Sequence, residues 1–285
     1  MTKTYNELYI ALWQRLRDAG IESHSLEARM IVAGAAGKSQ EELLRDLHLY
    51  SSPEIEARIQ ALAARRLAGE PAAYLTGSWG FFGLDFRVTR DTLIPRMDTE
   101  VLVEQAVRQL GRRAEGARIL DLCTGCGCVG CALAFLLPRS RVVLVDNSPA
   151  ALAVAEDNVR RLGLSERVSC VLADVRRDPP PGLGSFDMIV GNPPYVPTGE
   201  LARLDVSVRD YEPAAALDGG PDGLSLYRAL LDHWTLALRQ SGFLLLEIGE
   251  DQLAAVTLLL RRAGLRAIGS AKDTLDYDRV VFGRL

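Results

Sequence analysis

Asp121-Leu122-Cys123-Thr124-Gly125-Cys126-Gly127-Cys128 is the stretch that decides the fold. Ile119–Leu122, apolar apart from Asp121, reads as a buried strand, and Cys128–Leu137 is an apolar run of helical length. The two glycines between them let a backbone approach a ligand closely, and the helix start offers unpaired N–H groups. Strand, glycine turn and helix in that order open a nucleotide-binding βαβ unit. The alternation continues downstream. Strands are expected at Val142–Asp146, Val168–Ala173, Phe186–Val190, Phe243–Ile248, about Leu265–Ser270 and Val280–Phe282, and helices at Pro149–Leu162, Leu224–Leu238 and Gln252–Ala263. Strands alternating with helices imply an α/β fold with a mostly parallel, seven-stranded, Rossmann-like sheet.

Two ligands fit the glycine turn. Gly125, Gly127 and Gly130 satisfy the G-x-G-x-x-G fingerprint, and Asp146 lies about twenty residues on, where an acid meets a ribose diol. That pattern suits NAD and S-adenosylmethionine alike. Three placements favour the methyl donor. Asp121 precedes the glycines, where a pyrophosphate would be repelled and an ammonium or sulfonium attracted. Asp174 ends a third strand and can accept from an adenine amino group. At the end of the fourth strand stands Asn192-Pro193-Pro194-Tyr195, where sheet topology puts a substrate beside a cofactor.

That corner is stiff. Each proline fixes its own φ and pushes the preceding residue towards extended geometry, and neither proline has an N–H. What remains is a set of acceptors beside the flat ring of Tyr195. Such a surface suits a planar group that donates two hydrogens, a carboxamide or the exocyclic amine of a base. Asn-Pro is also a common turn opener; the position at the end of a buried strand argues for a site.

Upstream, residues 1–70 read as a small helical domain. Leu8, Leu12 and Leu16 with Tyr9 and Trp13 form an apolar stripe; Ser25 is expected to cap a helix through Ala33, and Ser52-Pro53 to open one through Ala64. Residues 71–96 become aromatic and glycine-punctuated, as in a β-hairpin linker, and residues 97–285 form the α/β domain. Asp98 or Thr99 can cap the helix that begins near Val101. The segment from Pro197 to Asp222 lacks any period and reads as a functional loop or lid.

At 285 residues, 48% hydrophobic and 25% charged, the chain has the composition of a soluble globular protein, and its net charge of −4 argues against holding nucleic acid through phosphates. Met1-Thr2-Lys3-Thr4-Tyr5 carries no apolar leader and no run approaches membrane-spanning length, so a cytoplasmic, monomeric protein is expected. Cys123, Cys126, Cys128 and Cys131 follow C-x2-C-x-C-x2-C, a spacing that also occurs in metal sites. Small thiols at small-residue positions favour packing, and no metal is expected. Cys126 and Cys128 at a helix start are expected to be acidic enough that alkylation impairs cofactor binding.

Taken together, several blocks resemble a known family. Asp121 with Gly125-Cys126-Gly127, Asp146-Asn147-Ser148-Pro149, Asp174 and Asn192-Pro193-Pro194-Tyr195 are similar to class I S-adenosylmethionine-dependent methyltransferases. Gly69-Glu70-Pro71, Ile94-Pro95-Arg96-Met97-Asp98-Thr99-Glu100, Tyr211-Glu212-Pro213, Asp222-Gly223-Leu224 and Leu246-Glu247-Ile248-Gly249 narrow the resemblance to the HemK/PrmC family, the release factor glutamine methyltransferases. It covers nearly the whole chain from Gly69, with one departure, the cysteine-rich turn.

The resemblance implies methylation of the glutamine amide in the Gly-Gly-Gln motif of class 1 peptide chain release factors. Asp121, Cys123, Thr124, Gly125, Cys126, Gly127, Asp146, Asp174, Val175 and Asn192 would hold the cofactor. Asn192, Pro193 and Tyr195 would carry catalysis, with Pro194, Arg96, Thr99 and Glu212 as further substrate contacts. A nucleic-acid adenine N6-methyltransferase, whose flipped base would fill the same corner, and an NAD-dependent oxidoreductase or non-catalytic nucleotide-binding module remain as alternatives.

Overall fold

The structure is a computed structural model that describes residues 2–285, apart from the side chain of Arg112. It divides into two compact units, residues 1–78 with 205–211, and residues 79–204 with 212–285.

The first unit is helical. Thr4 caps Tyr5–Asp18 through a reciprocal pair of bonds with Glu7, and Ser39 does the same with Glu42 for the short helix Gln40–Arg45. Ser52 caps Pro53–Leu67 as expected. The helix assigned to a Ser25 cap instead runs His24–Ala36, with Ser23 at its N-cap position. Ser25 lies inside it, and its hydroxyl pairs with that of Tyr9 at 3.0 Å. Leu8, Leu12, Leu16, Ile31, Leu43 and Ile59 form this unit's core. The Glu27–Arg66 ion pair joins His24–Ala36 to Pro53–Leu67 within it.

The second unit begins within a hairpin, β1 (Ser78–Phe81) and β2 (Leu84–Arg87). Its loop residues Phe82 and Gly83 have φ of 50° and 74°. Positive φ at both positions matches the twist of the flanking strands, and glycine supplies one of them without strain. Asn158 on helix Pro149–Arg161, wholly buried, pairs with both backbone groups of Arg87 and donates to the carbonyl of Cys126 at 2.9 Å. One side chain thereby ties hairpin, helix and glycine turn.

Seven strands make the main sheet: β3 (Arg118–Leu122), β4 (Arg141–Asp146), β5 (Val168–Leu172), β6 (Phe186–Gly191), β7 (Leu238–Glu247), β8 (Arg266–Lys272) and β9 (Asp278–Arg284). Their spatial order is β5-β4-β3-β6-β7-β9-β8, parallel except for β9. The mostly parallel, seven-stranded α/β sheet expected from the sequence is the one observed. The strand order reverses between β3 and β6, which pair with Leu122 opposite Gly191, so the glycine turn and the Asn192 corner leave adjacent strands at the same edge. The expected helix Leu224–Leu238 stops at Trp234, because Leu238 already pairs with Phe186 as the first residue of β7. Among the described residues no helix is long and apolar enough to cross a membrane.

The helix after the glycine turn, Cys128–Leu136, lies close on the sheet because position 130 has no side chain. A Cβ there would come within 2.1 Å of Leu144 Cδ2, 3.0 Å of Asp121 Oδ2 and 3.1 Å of Val142 Cγ1. Gly130→Ala is expected to lower unfolding free energy by about 1–3 kcal/mol through overpacking, read as a shift in the urea midpoint at unchanged slope.

Candidate active site

A single cavity of about 350 Å³ opens at the ends of β3, β4 and β6. Asp121, Cys123, Thr124, Gly125, Cys126, Asp146, Val175, Thr99, Asn192 and Pro194 line it, so the structure brings together ten of the residues singled out in the sequence. Its charge is one-sided: Asp91, Asp121, Asp146 and Asp218 face it, against one guanidinium, Arg176. An acidic cavity attracts a cation and repels a pyrophosphate.

The turn is held in shape by its own carboxylates. Asp121 is 1% exposed, and its Oδ2 accepts from the Thr124 hydroxyl at 2.6 Å and the Gly130 N–H at 2.9 Å. Burial pushes this carboxyl up to about 7 against those two bonds, with Asp146 adding repulsion. Asp146 accepts from Gly125 N–H through Oδ2 at 2.9 Å and from Ser148 N–H through Oδ1 at 3.0 Å, and burial raises it too. Gly125 has φ 56° and open space where a Cβ would stand, the geometry of a backbone left clear for a ligand. Cys123 takes φ 58° as a non-glycine residue, local strain of a kind that gathers at functional turns.

The remaining residues stand elsewhere. Gly127 lies outside the cavity lining; a Cβ on it would meet Leu144 and Ala155 at 3.1 and 3.3 Å, so its role is packing. Asp174 is also absent from the lining. Its carboxylate is gripped on both oxygens by Arg176, which holds it below its usual range. Pro193 is buried behind the corner. Tyr195 packs against the main core, and burial, reinforced by nearby Glu247, pushes its phenol up to about 12. Arg96 and Glu212 pair with each other, and Glu212 Oε2 also accepts from Ile94 N–H at 3.1 Å. This clamp braces the stretch whose Leu93 and Pro95 do line the cavity.

Thr99 is not the helix cap that its position suggests. A 3-10 turn, Met97–Thr99, leads into helix Glu100–Leu110, and the Thr99 side chain makes no capping bond. Its hydroxyl, in a residue 2% exposed, accepts from Asn192 Nδ2 at 3.4 Å. Asp98 faces Arg279 at 3.5 Å. The irregular segment contributes Pro213, Ala215, Ala216 and Asp218 to the wall, and Asn147 and Ser148 come from the β4 turn. Asn147, Ser148 and Pro213 stand in the blocks that carry the family resemblance, while Ala215 and Ala216 carry no signal beyond their place in a loop.

The cysteines need correction. Cys126, Cys128 and Cys131 are buried. A hydrogen bond from Cys126 together with burial raises the Cys128 thiol, and burial first of all raises Cys123 and Cys131. At Cys128 that bond and desolvation outweigh the expected helix-start acidity. Among the described residues no group of three His, Cys, Asp or Glu side chains is arranged to hold a metal.

Comparison with known proteins gives the chain's family. Residues 7–77 match the family described as PrmC N-terminal domain, and residues 97–208 match the methyltransferase small domain. The chain is 41% identical over 275 residues to the release factor glutamine methyltransferase of Geobacter sulfurreducens, spanning 96% of this chain and 94% of that one. It is 45% identical over 251 residues to the one of Moorella thermoacetica, 88% and 87% of the two chains. The chain belongs to the release factor glutamine methyltransferase family. A crystal structure of a methyltransferase from Pyrococcus furiosus, 18% identical, aligns over 78% of this chain and 96% of that one with a TM-score of 0.51, which shows the shared fold. As a family member the chain is an enzyme of the methyltransferase class, which replaces the oxidoreductase reading.

Alkylation separates the two thiol readings. In the native protein near pH 7.5, Cys128 and Cys131 are expected to label only as fast as the chain unfolds, and to label at once in denaturant, read by mass spectrometry of time points.

Proposed function

We propose that this chain methylates the side-chain amide of the glutamine in the Gly-Gly-Gln motif of class 1 peptide chain release factors, with S-adenosylmethionine as donor. The observation that carries the reading is the shared cavity. A donor-poor proline corner and an acidic glycine turn open into one space because β3 and β6 are neighbours. The names of the relatives support the substrate.

The lining fits the cofactor chemically: four aspartates around a molecule with an ammonium, a sulfonium and a ribose diol. Asp121 would face its positive groups, Asp146 would accept from the ribose hydroxyls, Gly125 would admit it to the backbone, and Val175 would pack against the base. S-adenosylmethionine supplies a methyl carbon made electrophilic by positive sulfur.

The chain's own task is to present a nitrogen lone pair. A carboxamide nitrogen is a poor nucleophile because its lone pair is delocalised into the carbonyl. Asn192 Oδ1 and the Pro193 carbonyl would accept the two amide hydrogens, drawing electron density towards nitrogen and fixing the plane of the group. Tyr195 would flank that plane, and Pro194 would close the wall. The two prolines hold the acceptors in place before the substrate arrives, so little entropy is lost on binding.

Asn192→Ala is expected to lower the rate of methyl transfer to a purified release factor by about 100-fold or more, with donor affinity close to wild type by calorimetry. Wild-type turnover by that variant would sink the mechanism. Asp146→Ala is expected to show the opposite split, weak donor binding and a rate restored at saturating donor.

Donor binding should also depend on pH. The folded Asp121 carboxyl titrates near 7, well above its ordinary value, and only its ionised form attracts a cation. Affinity is therefore expected to rise as pH rises through about 7. The same elevation means that folding without ligand loses stability as pH climbs from the ordinary carboxyl range to about 7, since the folded state holds the proton more tightly. Titration calorimetry at several pH values checks the first expectation, and Asp121→Asn should flatten the dependence.

A further inference from the structure

Glu247 is the last residue of β7, beside the end of β6, where Leu246 pairs with Gly191. It is 1% exposed, and its Oε2 has no hydrogen-bond partner among the described residues. An unpaired buried carboxylate oxygen is costly. Among the polar groups near it, the Thr99 hydroxyl most favours the charged form of the Glu247 carboxylate, and Thr99 Oγ1 itself accepts from Asn192 Nδ2 at 3.4 Å, so Glu247, Thr99 and Asn192 form a row of polar groups.

Such a chain has a direction. A hydroxyl owns one hydrogen, and an ionised carboxylate can only accept. Once Thr99 gives its hydrogen to Glu247, it has only lone pairs left for Asn192. Asn192 must then turn its NH2 towards Thr99 and its carbonyl oxygen away from it, into the cavity it lines. We propose that Glu247 is a positioning residue: through Thr99 it fixes which end of the Asn192 amide faces the substrate, making that residue an acceptor of the glutamine N–H rather than a competing donor. This inference rests on the methyltransferase reading of the same site.

Protonation reverses the chain. A carboxylic acid can donate to Thr99, which is then free to give its own hydrogen to Asn192, and the amide gains nothing by keeping its oxygen in the cavity. Burial pushes Glu247 up to about 7. The groups around it come from several elements. Arg279 on β9 and Arg96 favour the charged form, and Asp98 opposes it. Arg279 is shared with Asp273 at 2.9 Å, Asp98 at 3.5 Å and Glu250 at 3.8 Å, so its charge is divided before it reaches Glu247. The phenol of Tyr195 stays neutral throughout, as does that of Tyr227, which donates to the Glu247 backbone carbonyl at 2.8 Å.

The test is the pH profile of methyl transfer to a purified class 1 release factor at saturating donor, where bound positive charge keeps Asp121 ionised. Wild type is expected to show a turnover rate that rises with pH through a limb near 7. Glu247→Gln, which cannot ionise, is expected to lose that limb and to run about tenfold slower at pH 8, with donor affinity by calorimetry unchanged. Thr99→Val should fall by about 100-fold and Thr99→Ser should stay within about threefold, since only the serine keeps the relaying hydroxyl. If Glu247→Gln keeps the wild-type rate and the wild-type limb, or if Thr99→Val matches Thr99→Ser, the proposal is wrong. Thermal melting of each variant separates a lost fold from a turned amide, and the Thr99 pair decides the matter should Glu247→Gln not fold. A wild-type protein that binds donor but methylates no release factor would overturn the functional reading itself, and this inference with it.

Discussion

The backbone pairing of β3 with β6 is the constraint on which the rest of the second unit depends. Leu122 lies opposite Gly191, so two chain segments seventy residues apart leave the sheet side by side. The contact is close: a Cβ at position 191 would stand 3.1 Å from the Leu122 carbonyl and 3.5 Å from a Leu246 methyl. With only glycine there, the polar corner turns out of the sheet directly beside the turn that begins at Cys123. A parallel sheet leaves its strand ends open at the point where the strand order reverses. Here that opening is walled by Asp121 and Asp146 on one side and Asn192 and Pro194 on the other.

Keeping carboxyls in such a place is expensive. Asp121 and Glu247 are both almost wholly buried, and each titrates near 7 because desolvation outweighs the hydrogen bonds that favour its charge. For Asp121, a displacement of that size corresponds to something on the order of 4 kcal/mol between its two protonation states. The apolar core around Leu120, Ile189, Trp234 and Leu244 supports that cost. Other carboxylates sit in more exposed ion pairs, such as Asp157 with Arg87, which contribute little.

Neighbouring acids are handled differently. Arg96 and Glu212 neutralise each other, Asp174 is enclosed by Arg176, and Arg279 is divided among Asp98, Asp273 and Glu250. Arg96, Glu212 and Asp174 attract notice in the sequence as candidate contacts, yet in the fold Arg96 and Glu212 brace the wall of the cavity. The cysteine-rich turn is a similar case. Its spacing invites a metal or a reactive thiol, yet Cys128 and Cys131 are buried and their thiols are raised into weak acids that fill space.

The order of strands and helices, the glycine turn and the stiffness of Asn192-Pro193-Pro194-Tyr195 were legible from residue periodicity and from proline and glycine geometry, because these are local properties of the chain. So was the candidate cavity in outline, since the end of each parallel strand is predictable once the strands are. The pairings of Thr99 with Asn192, of Arg96 with Glu212 and of Asn158 with Arg87 were not. Each joins residues far apart in the chain, and a threonine before a helix carries the same local signal whether it caps that helix or turns away to orient an asparagine. Local sequence determined which elements form and which groups can react; the tertiary contacts alone decided which polar atoms meet, because desolvation and hydrogen-bond direction depend on what the fold brings within a few ångströms.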